Sequence, residues 1–214
     1  MVRPGGSHYP LTGTLAGIIT ENLEDVISRY DQMTDRLFSL PSVLGRFEGT
    51  GKITTMQASL IGAVGMAARS SGMYRDIRWS HPYGAYRQFY SEPVILPGGD
   101  VNARALLRKM EADNSVMLLK TMLGSRNPGA AIPEPLSGIT MQRSALAISM
   151  TEGWRGEICH TAVTDEKGRM KLYKVKDPSF HNWLALALAV RHQEISDFPL
   201  CNKSFNLSYC GNDL

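Results

Sequence analysis

Between residues 15 and 40, apolar side chains recur every three or four positions, which is the spacing of one face of an α-helix. Acidic and polar side chains fill most of the intervening positions, as on the wet side of a surface helix. Pro41 cannot continue a helix, so the pattern predicts a first helix over residues 15–40. The apolar positions are Leu15, Ile18, Ile19, Leu23, Val26, Ile27, Tyr30, Met33 and Leu37.

A second helix is predicted over residues 56–70, with Thr55 as its cap and Gly72 after its end. One surface of this helix carries only small side chains, which lets another backbone approach closely. We therefore expect it in the centre of a helical bundle. The small residues are Ala58, Gly62, Gly65 and Ala68.

A third helix, about residues 101–123, is predicted from Asp100 as its cap and Gly124 at its close. Its solvent-exposed face is expected to carry Arg104, Arg108, Lys109 and Glu111. Thr140 is expected to open a short fourth helix that Gly153 ends. The last helix, residues 180–192, follows Ser179 as its cap; it is apolar nearly all round and is expected to be buried. The tail after it shows no periodicity.

A β-hairpin is predicted between the fourth and the last helix. Residues 157–164 and 169–176 are strand-like, and residues 165–168 form a tight turn with Gly168 at its end. Such a hairpin either frames a site or pairs with a neighbouring strand, or it is simply a solvated cap on the bundle. Its base is rich in charge, at Glu152, Arg155, Glu157, Lys174, Lys176 and Asp177.

These elements predict a mainly α fold: one domain containing a bundle of about five helices with one inserted β-hairpin. The bundle covers residues 15–153, the hairpin residues 154–178, and the final helix and tail residues 179–214. A chain of 214 residues with 43% hydrophobic residues is long enough for a core of this kind.

The net charge and the cysteine content limit which functions and cellular locations are expected. The net charge is only +3 and the basic residues are dispersed, so no nucleic-acid footprint is expected. Cys159, Cys201 and Cys210 have no Cys-x-x-Cys spacing, which favours a reducing, cytoplasmic setting and argues against a zinc or iron–sulfur site held by this chain alone. No secretion signal and no apolar run of bilayer length is seen, so we expect a chain without its own span that can still lie against a membrane partner.

Residues 71–97 are irregular and dense in polar aromatic side chains, which is typical of a functional loop. Within this loop Asp76 lies two residues before Arg78. The alternative is that the aromatic side chains only seal one end of the bundle, with Asp76 paired to Arg75 or Arg78.

Several short strings resemble one family when read in order. They are similar to the large subunit shared by membrane-bound NiFe hydrogenases and respiratory complex I (NADH-quinone oxidoreductase). Within this family they resemble the formate-hydrogenlyase type most. The resemblance extends over essentially the whole chain and implies a NiFe-hydrogenase large-subunit-like fold. The strings are Arg3-Pro4-Gly5-Gly6, Ser71-Gly72 with Asp76, Arg78 and His81-Pro82-Tyr83, Gly99-Asp100, Glu152-x-x-Arg155-Gly156-Glu157, Val175-Lys176-x-Pro178-Ser179-Phe180-x-Asn182, Ser204-Phe205-Asn206-Leu207-Ser208-Tyr209 and Gly211-Asn212-Asp213-Leu214.

Two departures from that family change what the resemblance implies. The family's N-terminal portion, with the first cysteine pair of hydrogenases and the quinone-site histidine loop of complex I, has no counterpart here. At the position of the C-terminal nickel ligands, Cys210 is followed by Asp213 where a second cysteine is expected. Nickel–iron chemistry needs soft thiolate ligands, so we predict that this chain binds no nickel and no cofactor of its own.

The resemblance also implies roles for single residues. Asp76 falls on the acid that orients the quinone-site histidine, so Asp76 and Arg78 are the candidate catalytic residues. An acid in an apolar cavity has a raised pKa and can pass a proton near neutral pH, although Arg78 would oppose that shift. Candidate substrate-binding residues are His81, Arg155, Cys210 and Asp213.

The leading hypothesis is therefore a component of a membrane-associated oxidoreductase complex that helps to form a quinone or redox cavity. Its expected partners are a small subunit with an iron–sulfur cluster, membrane subunits, and a chain that supplies the missing N-terminal part. The expected location is cytoplasmic, peripheral on the inner face of the cell membrane. A non-catalytic scaffold is the alternative. A free-standing enzyme is less favoured, because no nucleophile–base pair is visible and the neighbours Cys159 and His160 face opposite sides of a strand.

Overall fold

The computed structural model describes residues 2–3, 6–7, 10–89, 92–125 and 140–209. Two-residue strands, β1 (Val2–Arg3) and β2 (Gly6–Ser7), pair antiparallel at the start of the chain. The described part is mainly helical and contains one three-stranded antiparallel sheet.

Helices dominate the first half of the described chain. The helices are α1 (Gly13–Phe38), α2 (Pro41–Phe47), α3 (Thr55–Leu60), α4 (Gly65–Arg69), α5 (Ile77–Ser80), α6 (Val101–Gly124), α7 (Pro178–Ala189) and α8 (Phe198–Phe205), with single 3₁₀ turns at Gly84–Arg87 and Ile195–Asp197. The long helix α6 contacts the long helix α1 and the shorter helices α4 and α8.

The predicted second helix is broken into α3 and α4. Gly62 and Gly65 both have positive φ angles, of 66° and 58°, which end the helical path between the two segments. The cap is Thr54 rather than Thr55, and it forms a capping box with Gln57. The expectation of close backbone approach is confirmed, since Gly65 touches the backbone of Gly156.

The predicted fourth helix is wrong: residues 146–153 form a strand, β3 (Leu146–Gly153). It pairs with β4 (Gly156–Thr164), which pairs with β5 (Met170–Lys176), so the predicted hairpin is the second half of a three-stranded sheet. Leucine, alanine and methionine favour helix in isolation. Here pairing with β4 decides the conformation, since strand propensity depends on the partner strands.

Two further elements differ from the sequence prediction. Helix α7 begins earlier than predicted, with Asp177 rather than Ser179 as its cap, and the exposed side chains of Phe180 and Leu184 show that it is not buried all round. The tail contains α8, an element that was not predicted. The main core lies where α7 and α8 meet the loop before α3 and the start of α6; its buried members are Ile53, Ala67, Val101, Ala185, Leu186, Ala189, Cys201, Phe205 and Leu207.

Asn182 fixes α7 to the first part of the chain. Its side-chain oxygen accepts a hydrogen bond from Val64 N at 3.1 Å, and its amide nitrogen donates to the carbonyl oxygens of Val64 at 3.1 Å and of Arg155 at 3.5 Å. The residue is almost completely buried, so these bonds replace water for three backbone groups. They hold the turn between β3 and β4 against the start of α4.

Candidate functional site

Asp76 caps α5 and holds Arg78 in place. Its Oδ1 atom accepts hydrogen bonds from the backbone nitrogen and from Nε of Arg78, each at 2.9 Å. Its Oδ2 atom accepts from Nη2 of Arg78 at 2.5 Å. The pair that the two-residue spacing suggested is therefore a two-pronged ion pair, in which the guanidinium folds back over the helix cap.

Arg69, the last residue of α4, connects this pair to two distant elements. Its side chain is only 1% exposed. Nη1 lies 2.8 Å from Oε1 of Glu152 on β3 and 3.3 Å from Oδ2 of Asp76, and Nη2 lies 2.7 Å from Oε1 of Glu111 on α6. We call Arg69, Asp76, Arg78, Glu111 and Glu152 the ionic cluster.

Glu152 is the second deeply buried acid of the ionic cluster, with its side chain 3% exposed. Its Oε2 atom accepts a hydrogen bond from the backbone nitrogen of Ile77 at 3.1 Å. Its own backbone nitrogen donates to the Tyr83 hydroxyl at 3.0 Å, which brings the irregular loop against the end of β3. The ionic cluster thus joins α4, α5, α6 and β3.

Burial and charge move the pKa values of the two buried acids in opposite directions. Burial alone would raise the pKa of Asp76, but the hydrogen bonds from Arg78 and the charge of Arg69 together hold it below its ordinary value. Burial raises the pKa of Glu152, the charge of Asp76 adds to the increase, and Arg69 offsets it only in part. The expectation of a raised pKa for Asp76 is therefore wrong, because two guanidinium groups outweigh its desolvation.

The other predicted site residues lie apart from these contacts. His81 is exposed at the end of α5, where its Nδ1 atom lies 3.0 Å from the Ser80 hydroxyl. Arg155, in the turn between β3 and β4, donates from Nε to the carbonyl oxygen of Asn206. Cys210 and Asp213 lie outside the described residues, so their predicted role stays a prediction.

Two arginines that were expected on a wet face are instead directed to the end of α8. Arg104 is fully buried and donates to the Ser204 hydroxyl and the Gly99 carbonyl oxygen, both at 2.8 Å. Arg108 donates to the carbonyl oxygen of Ser204 at 2.5 Å. Burial lowers the pKa of each guanidinium to about 10. Arg108 and Arg155 satisfy carbonyl groups that the end of α8 leaves open.

Three members of the ionic cluster, Arg69, Glu111 and Glu152, were not predicted as site residues. One signal for Arg69 was available: it directly follows residues 53–68, a stretch with no charge after Lys52. A cation at the end of such a stretch is a candidate for burial with a partner. Glu111 and Glu152 carry no comparable local signal, because their partners lie far away in sequence.

Within the described residues, no group of three or more histidine, cysteine, aspartate or glutamate side chains is arranged to hold a metal ion. Cys201 is buried in the core against Gly51, and Cys159 lies on β4 beside Lys174 and Lys176. A nickel–iron centre needs several thiolates together, and these two positions do not supply them.

Comparison with known proteins identifies the family. The profile described as "Respiratory-chain NADH dehydrogenase, 49 Kd subunit" matches residues 1–147, more than two thirds of the chain. The chain belongs to this family. The resemblance to the large subunit shared by complex I and NiFe hydrogenases is thereby confirmed.

Relatives of the 49 Kd family come from both branches. The chain is 31% identical over 166 residues to the carbon monoxide-induced hydrogenase of Rhodospirillum rubrum, a match that covers 78% of this chain and 45% of that protein. It is 27% identical to formate hydrogenlyase subunit 5 of Escherichia coli strain K12 (85% and 32% covered). It is also 27% identical to NADH-quinone oxidoreductase subunit 4 of Thermus thermophilus (92% and 54%). The chain spans about half or less of the length of these relatives.

A solved structure supports the fold of the 49 Kd family. A chain in the structure of the membrane-bound sulfane sulfur reductase (MBS), an archaeal respiratory membrane complex, matches with a TM-score of 0.77 at 23% identity. The match covers 92% of this chain and 53% of that one. Of the helices in the described ranges, none combines the length and the hydropathy that crossing a bilayer requires.

Proposed function

We propose that this chain is part of a subunit of a membrane-associated oxidoreductase complex of the complex I or formate-hydrogenlyase type. In that complex it forms one wall of a quinone or redox cavity, beside an iron–sulfur cluster held by a partner subunit. It lies on the inner face of the cell membrane, where membrane subunits complete the assembly. The observation that carries this proposal is the ionic cluster, of which Asp76, Arg78 and Glu152 belong to the strings that resemble the family.

The ionic cluster suits such a wall because its charges are fixed in place before any substrate arrives. Asp76 remains an anion, and Arg78, whose side chain is 25% exposed, extends from it towards solvent. An oriented guanidinium can donate hydrogen bonds to a quinone oxygen and stabilise negative charge as it develops there. Arg69 is buried, so it holds Asp76 and Glu152 in position without contacting substrate.

Replacing Asp76 by asparagine is expected to lower quinone reductase activity of the assembled complex by at least about 100-fold. The amide cannot form the two-pronged ion pair, so Arg78 loses its orientation and the charge balance around Arg69 changes. Activity is measured on complexes matched for subunit content. Asp165→Asn is the control, since Asp165 also binds a nearby arginine, Arg169, but on the exposed hairpin turn. Wild-type turnover in Asp76→Asn would remove Asp76 from the proposal.

A scaffold function is the second candidate, and it also has specific support. The pKa of Asp76 is lowered, as expected of a permanent structural ion pair. Helix α1 also exposes large apolar side chains, including those of Ile18, Val26 and Met33, as a docking surface would. On this hypothesis Asp76→Asn reduces the amount of assembled complex, while each complex that does assemble keeps its full rate.

We also propose that the chain holds no nickel–iron centre. Metal analysis of the purified complex, with subunits quantified by mass spectrometry, is expected to find no nickel assigned to this chain and no hydrogen evolution that depends on it. The reason is the donor set: Cys210 has Asp213 in place of a second thiolate, and a carboxylate binds such a centre poorly. Stoichiometric nickel that remains after chelation would contradict this part of the proposal.

A further inference from the structure

The ionic cluster has unequal numbers of opposite charges. Arg69 and Arg78 face three carboxyl groups, those of Asp76, Glu111 and Glu152. When all five are ionised, one negative charge is left without a partner in a largely buried setting. Leaving a buried charge uncompensated is costly, and binding a proton is the usual way in which proteins avoid that cost.

Among the described residues around the ionic cluster, the charge of Arg108 acts on Glu111, whereas the charges that act on Glu152 are those of Arg69, Asp76 and Arg78. Arg75, which is adjacent in sequence to Asp76, pairs with Glu157 at 3.7 Å, and that pair is neutral as a unit. Glu157 lies directly opposite Glu152 in the register of β3 and β4, so this neutral pair adds no net positive charge beside Glu152. The Tyr83 hydroxyl, which contacts the end of β3, is uncharged, and its pKa is raised by burial.

The three carboxyl groups differ in how well they are compensated. Asp76 accepts three hydrogen bonds from Arg78 and lies beside Arg69. The side chain of Glu111 is 18% exposed, although its Oε1 atom, which faces Arg69, is buried without a hydrogen bond; the charge of Arg108 also acts on this carboxyl group. Glu152 is 3% exposed and has one backbone donor together with a guanidinium, Arg69, that it shares with the other two acids. Glu152 is therefore the carboxyl group for which ionisation costs most.

We propose that the ionic cluster stores one proton on the carboxyl group of Glu152, and that Glu152 rather than Asp76 delivers it to the redox cavity. In the delivery step the O–H bond of Glu152 breaks and its electron pair stays on the carboxylate. The proton passes to a basic oxygen of a two-electron-reduced quinone, and solvent returns a proton through the partly exposed side at Arg78 and Glu111. That Glu152 stores a proton is argued from the geometry of the ionic cluster alone. That Glu152 delivers this proton to a quinone rests on the proposed function.

Infrared difference spectroscopy of the purified chain, recorded as the pH is raised, tests the storage. A protonated carboxyl group has a carbonyl band well separated from carboxylate bands. We expect such a band to persist above the ordinary pKa of glutamate in the wild type and in the matched control Glu157→Gln, and to be absent in Glu152→Gln. A wild type without the band, or a band that survives in Glu152→Gln, overturns the proposal.

A second measurement covers the case in which Glu152→Gln does not fold. Glu111→Gln and Asp76→Asn each leave two carboxyl groups against two guanidinium groups, so in both variants the band should disappear at a lower pH than in the wild type, and a band unmoved in either variant overturns the proposal. The pH dependence of the free energy of unfolding is an independent test. If the pKa of Glu152 is higher in the folded state, the folded protein binds a proton that the unfolded chain has already released. Stability should therefore fall as the pH rises from the ordinary glutamate pKa through the raised one, and Glu152→Gln should remove that fall.

Turnover of the assembled complex tests the delivery. Glu152→Gln is expected to lower kcat by at least about 10-fold with little change in KM, while Glu157→Gln keeps the wild-type rate. Unchanged kcat in Glu152→Gln overturns the delivery and leaves the infrared result standing. A wild-type complex with no quinone reductase activity counts against the proposed function and, with it, against the delivery, whereas the storage is decided by the infrared band in either case.

Discussion

Replacing Arg69 by methionine is expected to destabilise the protein by about 3–5 kcal/mol, because it removes the cation that three carboxyl groups of the ionic cluster share. Glu152 would lose its guanidinium partner while remaining buried. Asp76 would keep Arg78 and suffer less. The measurement is the free energy of unfolding from urea denaturation near neutral pH, followed by circular dichroism.

Two controls separate this effect from the loss of an arginine in general. Arg29→Met breaks an ion pair with Asp25 in which both side chains are more than 60% exposed, and it should cost less than about 1 kcal/mol. The double variant Arg69→Met with Glu111→Gln should recover part of the stability lost in Arg69→Met, since the carboxylate that Arg69 pairs with on α6 is then gone. Equal losses in Arg69→Met and Arg29→Met would show that the ionic cluster is not important for stability.

Replacing Gly156 by alanine is expected to cost about 3 kcal/mol or more, or to prevent folding altogether. Gly156 has a φ angle of 132°, which side chains of L-residues rarely allow. A Cβ atom at this position would lie 2.7 Å from the Cα atom and 2.8 Å from the nitrogen of Gly65. Both are backbone atoms, so no side chain can rotate away to make room.

Gly17 provides the matched glycine-to-alanine control. It lies within α1, and a Cβ atom there would meet nothing within 4 Å. Gly17→Ala should therefore leave the free energy of unfolding unchanged or raise it by up to about 1 kcal/mol, since alanine favours helix. If Gly156→Ala proves as stable as the wild type, the close contact between the start of α4 and the turn before β4 does not exist in solution.

Local signals in the sequence predicted the long elements well. Asp100 and Gly124 mark the third helix almost to the residue, and the strand-like residues on either side of Asp165–Gly168 mark the hairpin. These features depend on neighbours within a few positions, where capping and turn chemistry act. Residues 146–153 have no such signal, because only the hydrogen bonds to β4 make them a strand rather than a helix.

The same distinction applies to the candidate site. Asp76 and Arg78 are two residues apart, so their pairing could be expected from the sequence, and it is present. Arg69 and Glu152 are 83 positions apart, and nothing near either residue identifies the other. The pKa of Asp76 was predicted in the wrong direction because the hydrogen bonds from Arg78 outweigh part of the desolvation and Arg69, whose position only the packed chain defines, adds a second cation.

Helix α4 touches the sheet at both of its ends. Its first residue, Gly65, lies against the backbone of Gly156, and its last, Arg69, is bonded to Glu152. No side chain intervenes at the first contact, and Asn182 fixes it to α7. A partner that binds the outer strands and displaces the sheet would therefore meet no flexible side chain that could absorb the movement. The displacement would instead change the contact between Arg69 and Glu152, so the position of the hairpin is coupled to the buried charges.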